Sequence, residues 1–300
     1  MIQRIGYACI NLHLKPRGFK TCRLNSVYKY GINYLRDKIM NNLLLTKDIL
    51  KWNIKNEIFM YRVTSGLLPL VTHPDILKDF KWRWYEDEEM HVHMQDIQEI
   101  VKKNNIRLSM HPDQFTVLNS LNESVVKSSV AYLQYHYKIL KKLGGSDIII
   151  HTGGVYQDKK ESIKRFIQNF YGLDQNIQNM LRLENDHASY NVDEVLYISS
   201  QTGLPMILDI HHHTCNHERN LNEEDMIKIN DTWKNTGFIP KMHISSGKMS
   251  INDKRHHDHI RREDLKKLVT LIGKLDIDLM VEAKKKDRAV LKIKREMDDL

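Results

Sequence analysis

Eight short apolar runs, each followed by a stretch of helical periodicity, constrain this chain more than any other feature. The runs cover residues 5–10, 58–63, 107–110, 148–150, 181–183, 205–208, 241–244 and 279–281. Each has the length of a strand, and between them the apolar spacing changes to three and four. Val126, Val130, Leu133, Tyr137 and Leu140 make one helical stripe, opened by Asn122 and closed by Gly144-Gly145. Asp158 and Glu161 predict a capping box ahead of Ile163, Phe166, Ile167 and Phe170. Met90, Met94, Ile97 and Val101 form another stripe, and Leu265, Leu268, Val269 and Ile272 form the last. Strands alternating with helices call for a parallel sheet, and eight repeats close it. The predicted fold is therefore α/β, a single (β/α)8 TIM-barrel domain over residues 1–300, its active site at the C-terminal ends of the strands. Residues 26–56 hold enough helix for the first crossover plus an extra turn.

Composition narrows the class of protein. Lysine and arginine outnumber aspartate and glutamate by 46 to 38, a net charge of +8 that favours polyanions without proving them. The three cysteines, Cys9, Cys22 and Cys215, show no pairing pattern and predict a reducing compartment. Met1-Ile2-Gln3-Arg4 is no apolar leader, and no run reaches the roughly 20 apolar residues of a membrane span. The expectation is a cytoplasmic enzyme with no membrane partner. The basic tail (Lys284, Lys285, Lys286, Arg288, Lys292, Lys294, Arg295) carries Val290, Ile293 and Met297 at helical spacing, which reads as the solvated face of a final helix. Trp82, Trp84 and Tyr85, set among charges, read as partly buried beneath the second helix.

The chemistry lies where polar residues end the strands. The third run leads into Ser109-Met110-His111-Pro112-Asp113-Gln114, and the fourth into His151-Thr152-Gly153-Gly154. The fifth ends Leu183-Glu184-Asn185-Asp186-His187, and the sixth runs into Asp209-Ile210-His211-His212-His213. The seventh is Lys241-Met242-His243-Ile244-Ser245-Ser246, and the eighth ends Val281-Glu282-Ala283-Lys284. Six consecutive strands thus deliver His, His, Glu, Asp, His and Glu to one end of the barrel. They are 25 to 40 residues apart, about one βα unit each, so they meet across the mouth. Mixed imidazole and carboxylate donors suit Zn²⁺, Mn²⁺ or a related divalent ion, and carboxylates that bridge suit more than one. The run from His211 to His217 lacks the paired ligands of a local zinc site, so one or two of its histidines are expected to join Asp209 instead.

These runs, with Gly6-Tyr7-Ala8 and Asn11 at the start and Ser65-Gly66-Leu67-Leu68-Pro69 after the second strand, resemble the ultraviolet-damage endonuclease family. The resemblance extends from Ile5 to about Val290. It implies a centre of three divalent ions, usually Mn²⁺ with Mg²⁺, Co²⁺ or Zn²⁺ as alternatives, no organic cofactor, and cleavage of double-stranded DNA on the 5′ side of a photolesion. It implies the ligands His111, His151, Glu184, Asp209, His212, His243, His256 and Glu282, with His257 and Asp258 as alternatives to His256. Glu184 and Lys241 are the expected catalytic groups, joined by His73 beyond the second strand, read as a phosphate or metal contact or else as a plain loop histidine. Gln114 and Phe115 are implied to enter the duplex at the lesion, although many relatives carry tyrosine at the position of Phe115. Tyr7 and Asn11 are read as lining the pocket for extruded nucleotides, or else as hydrogen-bonded within their loop. A nucleoid-associated monomer is expected.

Lys241 precedes His243 by two residues, so both side chains point to the same interior. An ammonium there is disfavoured beside divalent ions, which predicts a carbamate formed with carbon dioxide, as the resemblance also implies; a charged lysine on the substrate phosphate is the alternative. Rival readings are an abasic-site endonuclease or a sugar isomerase on the same barrel, and a DNA-binding protein with structural metals.

Overall fold

The computed structural model describes residues 1–14 and 17–297. Its strands are β1 (Ile2–Ala8), β2 (Met60–Val63), β3 (Arg107–Met110), β4 (Asp147–His151), β5 (Leu181–Glu184), β6 (Met206–Asp209), β7 (Lys241–Ile244) and β8 (Ile277–Val281). All are parallel, pair in chain order, and close where β1 meets β8. The eight expected strands are these eight. β1 is displaced furthest, starting at Ile2 and stopping before Cys9, whose φ of 67° cannot continue a strand. Gly6 is required where β1 meets β2, because a Cβ there would lie 2.1 Å from the Met60 carbonyl oxygen.

The helices follow the expected stripes. Glu88–Lys103 buries Met90, Met94, Ile97 and Val101. Glu123–Leu143 starts at Asn122, whose side chain accepts from the Ser124 N–H, and stops at left-handed Gly144. Three expectations need correction. In Glu123–Leu143 Leu133 and Leu140 are buried as expected, but Val126, Val130 and Tyr137 are only half-buried, and Tyr135, His136, Ile139 and Leu143 complete the buried face. Asp158 caps the helix Lys159–Tyr171, but Glu161 pairs with Lys164 rather than returning the bond, so the capping box is half formed. In Arg262–Ile272 the buried face is Leu265, Leu268 and Ile272, and Val269 lies outward at the surface. The long first crossover is two helices, Leu24–Tyr30 and Ile32–Lys55, parted by Gly31. The basic tail forms Lys286–Met297, which buries Val290 and Ile293. Trp84 is buried, Trp82 donates to Asp87, and Tyr85 is exposed. Among the described residues, no helix is long and apolar enough to cross a membrane. All three cysteines are free thiols.

Alternation along the strands sorts the barrel into an outer and an inner set. Tyr61, Leu108, Ile148, Leu183, Leu208 and Leu279 pack outward into the main core beneath the helices. The inner set runs upward in three tiers. At the floor Arg107, Asp147, Arg182, Lys241 and Asp278 are joined by ion pairs, all of them buried. Trp233 closes the floor, its ring 4.9 Å from the Arg107 guanidinium and 5.3 Å from that of Arg182. Met60, Ile149, Ile207 and Met280 fill the middle. The top tier is polar.

Candidate metal centre

Glu184, at the end of β5, is the hub of the top tier. It is 1 % exposed, and one of its oxygens lies 2.9 Å from His243 Nδ1 and 3.5 Å from His212 Nδ1. Its other oxygen faces His111 Nε2 at 3.3 Å and His151 Nε2 at 3.8 Å. Two donor groups share it: His111, His151 and Glu184, and Glu184, Asp209 and His243, each with donor atoms within 4.8 Å of one another. Glu282 extends the arrangement, 3.3 Å from His243 Nδ1 and 3.9 Å from His256 Nδ1.

The surrounding backbone fixes which ring nitrogens face inward. His111 Nδ1 donates to the Pro112 carbonyl at 2.8 Å and His212 Nδ1 to the Asn185 carbonyl at 2.9 Å; His151 Nδ1 faces the Glu184 carbonyl at 3.3 Å. With Nδ1 holding a proton, Nε2 keeps a lone pair, the tautomer a metal ligand needs. Asp209 spends one oxygen on the His211 and His212 N–H groups, both at 2.8 Å. Its second oxygen is buried without a hydrogen bond, as are Glu184 Oε2 and His243 Nε2. Orphaned buried acceptors are costly, and the three residues that carry these atoms end neighbouring strands with donor atoms within 4.8 Å of one another. A divalent ion fits them.

Electrostatics agree with that fit. Burial alone would raise the Glu184 carboxyl, but the imidazoles of His243 and His151, with the hydrogen bond from His243, hold it well below the usual carboxylate range. Burial would likewise lower His212, yet Asp209, Glu184 and Glu282 lift it to about 9. The field is negative enough to draw a proton onto an imidazole, and a cation answers the same field. Glu282 is held low by Arg62, which forms an ion pair with it, and by His243, against the effect of burial.

The ambiguous histidines separate cleanly. His211 turns away, its Nε2 3.0 Å from the Asp253 carbonyl, and the His213 ring lies 5.0 Å from that of His217. Among the described residues, the metal-like groups lie at the barrel mouth and none is confined to the His211–His217 run. His257 braces its own loop through contacts with His259, and Asp258 is exposed against Lys285. That leaves His256 toward Glu282.

Other expected residues land elsewhere. Tyr7 is fully buried and faces the helix layer, donating to Asn53 at 2.7 Å and accepting from Asn11 at 2.8 Å. Asn11 also accepts from the N–H groups of His13 and Leu14. Neither lines the cleft, so the pocket-lining reading is corrected to the loop-bonding one; strand parity is the reason, since Gly6 and Ala8 are the inward residues. His73 caps the helix Pro74–Asp79, its Nδ1 accepting from the Asp75 N–H, and does not line the cleft. Lys241 is fully enclosed at the floor with Nζ 2.6 Å from Asp147, so direct contact with a substrate phosphate is ruled out. Burial outweighs the carboxylates beside it and draws its pKa down to about 8.

Above the donors lies a cleft of about 690 Å³ bounded by His111, His151, Glu184, His212 and Glu282 and rimmed by Gln114, Phe115, Tyr156 and His187. Phe115 stands 76 % exposed on that rim, so it is not packed beneath its loop. Arg62, Asn185 and His187 were missed in the sequence. Arg62 was detectable from parity, two residues after inward-facing Met60. Asn185 clasps Asp209 with two hydrogen bonds, of 3.0 and 2.8 Å, and lay inside a motif already singled out.

Comparisons with known proteins agree with this geometry. The family profile "UV-endonuclease UvdE" matches residues 3–300. A UV DNA damage endonuclease of Bacillus thuringiensis subsp. konkukian (strain 97-27) is 33% identical over 318 aligned positions, covering 100% of this chain and 96% of that protein. The crystal structure of SacUVDE superposes with a TM-score of 0.87 at 34% identity, over 99% of both chains. Endonuclease IV from Thermus thermophilus shares the fold, with a TM-score of 0.56 at 14% identity over 85% of this chain and 95% of that one.

Proposed function

The chain belongs to the UV-endonuclease UvdE family, which makes it a DNA repair endonuclease, and we propose that it hydrolyses the phosphodiester immediately 5′ to ultraviolet photolesions with bound divalent ions. The observation that carries the metal part of this reading is the grouping of Glu184, Asp209 and His243 within 4.8 Å of one another, each of them buried and each keeping an orphaned polar atom. His111, His151, Glu184, Asp209, His212, His243, His256 and Glu282 would hold the ions, with Glu184 shared between the two donor groups. The chemistry that bound divalent ions would supply there is a lowered pKa for water and neutralised charge on the leaving oxygen. The protein's own part is orientation. Backbone carbonyls fix the tautomers of His111, His151 and His212, Arg62 holds Glu282, and Asn185 clasps Asp209.

Recognition is assigned to the rim. An exposed ring at Phe115 suits the gap left by unstacked bases, and the Gln114 amide suits orphaned base edges. A nicking assay tests both parts, using a duplex with one defined pyrimidine dimer, its undamaged twin and an abasic duplex, with Mn²⁺ or with EDTA. The expected result is Mn²⁺-dependent cutting just 5′ of the dimer. Selective cutting of the abasic duplex would replace this reading with an abasic-site endonuclease. Replacing Gln114 and Phe115 with alanine should reduce the preference for damaged duplex about tenfold while leaving bound metal unchanged. Unchanged discrimination would remove the pair from recognition.

For Lys241 the proposed form is the carbamate. Among the described residues, Arg4, Arg107, Arg182 and Lys241 face only Asp147 and Asp278 at the floor, and a carbamate makes the balance three against three. Protein loaded with labelled bicarbonate should give a carbamate carbon resonance that is lost in Lys241→Arg. Its absence from metal-loaded protein would leave Lys241 as the ammonium partner of Asp147.

A further inference from the structure

The loop that leaves β7 supplies His256 to the centre, yet most of it has no part in that chemistry. It is a tightly closed turn. Gly247 and His256 pair across an antiparallel bridge, and the Lys248 N–H donates to the Arg255 carbonyl at 2.8 Å. The Asp253 carboxylate accepts from the N–H groups of Met249 at 3.1 Å and Arg255 at 3.0 Å. Gly247 is wrapped so closely that a Cβ on it would lie 2.0 Å from the Ser250 carbonyl oxygen. From outside, His211 and Cys215 tether the turn through the carbonyls of Asp253 and Asn252.

This fixed turn displays apolar side chains to water. Met249 is 76 % exposed and Ile251 46 %. A single exposed methionine on a loose loop is ordinary, but a rigid pair next to a cleft is a preorganised contact surface. Lys248 and Lys254 are exposed beside the pair, and among the described residues neither has a carboxylate partner, whereas Arg255 is folded onto Asp253. In the closed barrel β7 stands four places from β3, on the far side of the mouth from the strand that carries Phe115.

We propose that the 247–256 turn is a second DNA-contacting arm. Met249 and Ile251 seat in a groove of the duplex opposite Phe115, and Lys248 and Lys254 meet its phosphates. The proposal rests on the endonuclease reading above. A duplex held at both rims crosses directly over Glu184. Apolar wedges and phosphate cations are the two components that grip DNA without reading its sequence.

Fluorescence anisotropy of labelled lesion and undamaged duplexes, titrated over a series of salt concentrations, tests it. Lys248→Gln with Lys254→Gln should shrink the slope of log affinity against log salt by about 1.8, the release from two phosphates. Met249→Ala should weaken binding about tenfold and leave that slope intact. Variants that match the wild type in affinity and slope, with wild-type melting and dimer-selective nicking, overturn the arm and leave the endonuclease reading standing. A wild-type protein that neither binds nor nicks the dimer duplex overturns both.

Discussion

Glu184→Gln is expected to fold and yet to nick dimer-bearing duplex at least about a thousandfold more slowly, a loss on the order of 4 kcal/mol of transition-state stabilisation. The substitution keeps the size and shape of the side chain. It removes the one negative charge that four imidazoles approach, those of His111, His151, His212 and His243. An amide can offer one carbonyl oxygen to one ion, but it cannot balance charge or offer two equivalent oxygens to two donor groups. Metal content by mass spectrometry should fall together with activity, while near-ultraviolet circular dichroism stays that of the wild type. The result that would sink the assignment is wild-type turnover with reduced metal content, since the hub would then lie outside the chemistry.

Why the ligands were legible in sequence and other residues were not follows from strand geometry. A His, Glu or Asp that interrupts an apolar run is conspicuous, and eight in-phase runs fix which end of the barrel it reaches. The same logic extends downward, and there it was applied too narrowly. Arg107, Asp147, Arg182, Lys241 and Asp278 are also inward residues of their strands. Lys241 was placed beside the metals because it shares a face with His243, but two residues along a strand is roughly 6.6 Å, enough to set it lower in the barrel. Tyr7 shows the opposite error: its neighbours Gly6 and Ala8 point inward, so it had to point out. Loop residues were the least legible. Nothing in the spacing of His256, His257 and Asp258 says which turns inward, because a bridge to Gly247 and contacts with His259 and Lys285 decide it. His73 fell to a local competitor, the open N-terminus of its own helix, which its ring caps.

With Lys241 kept as the ammonium by working free of bicarbonate, Asp147→Asn is expected to destabilise the protein by about 3–5 kcal/mol, the range for removing one partner from a buried ion-pair network. Asp147 is fully buried and accepts from Arg107 at 2.9 Å, Arg182 at 2.9 Å and Lys241 at 2.6 Å. Burial alone would raise its pKa, but the three cations outweigh burial and hold it well below the ordinary carboxylate range. The sign of the pH dependence follows from that direction. A carboxylate depressed in the folded state stabilises fully above its unfolded value, near pH 4, and loses that contribution as pH falls through the folded value. Urea melts of wild type and variant should therefore be furthest apart at neutral pH and converge in strong acid. Asparagine leaves three buried cations with Asp278 as their remaining carboxylate, and only Arg107 among them pairs with it. The floor lies a full tier beneath the donors, so the folded variant should keep near wild-type metal content well below its melting temperature. An Asp147→Asn protein as stable as the wild type at neutral pH would show that the floor cations are compensated by some other charge, a carbamate on Lys241 being the candidate that the bicarbonate label would then reveal.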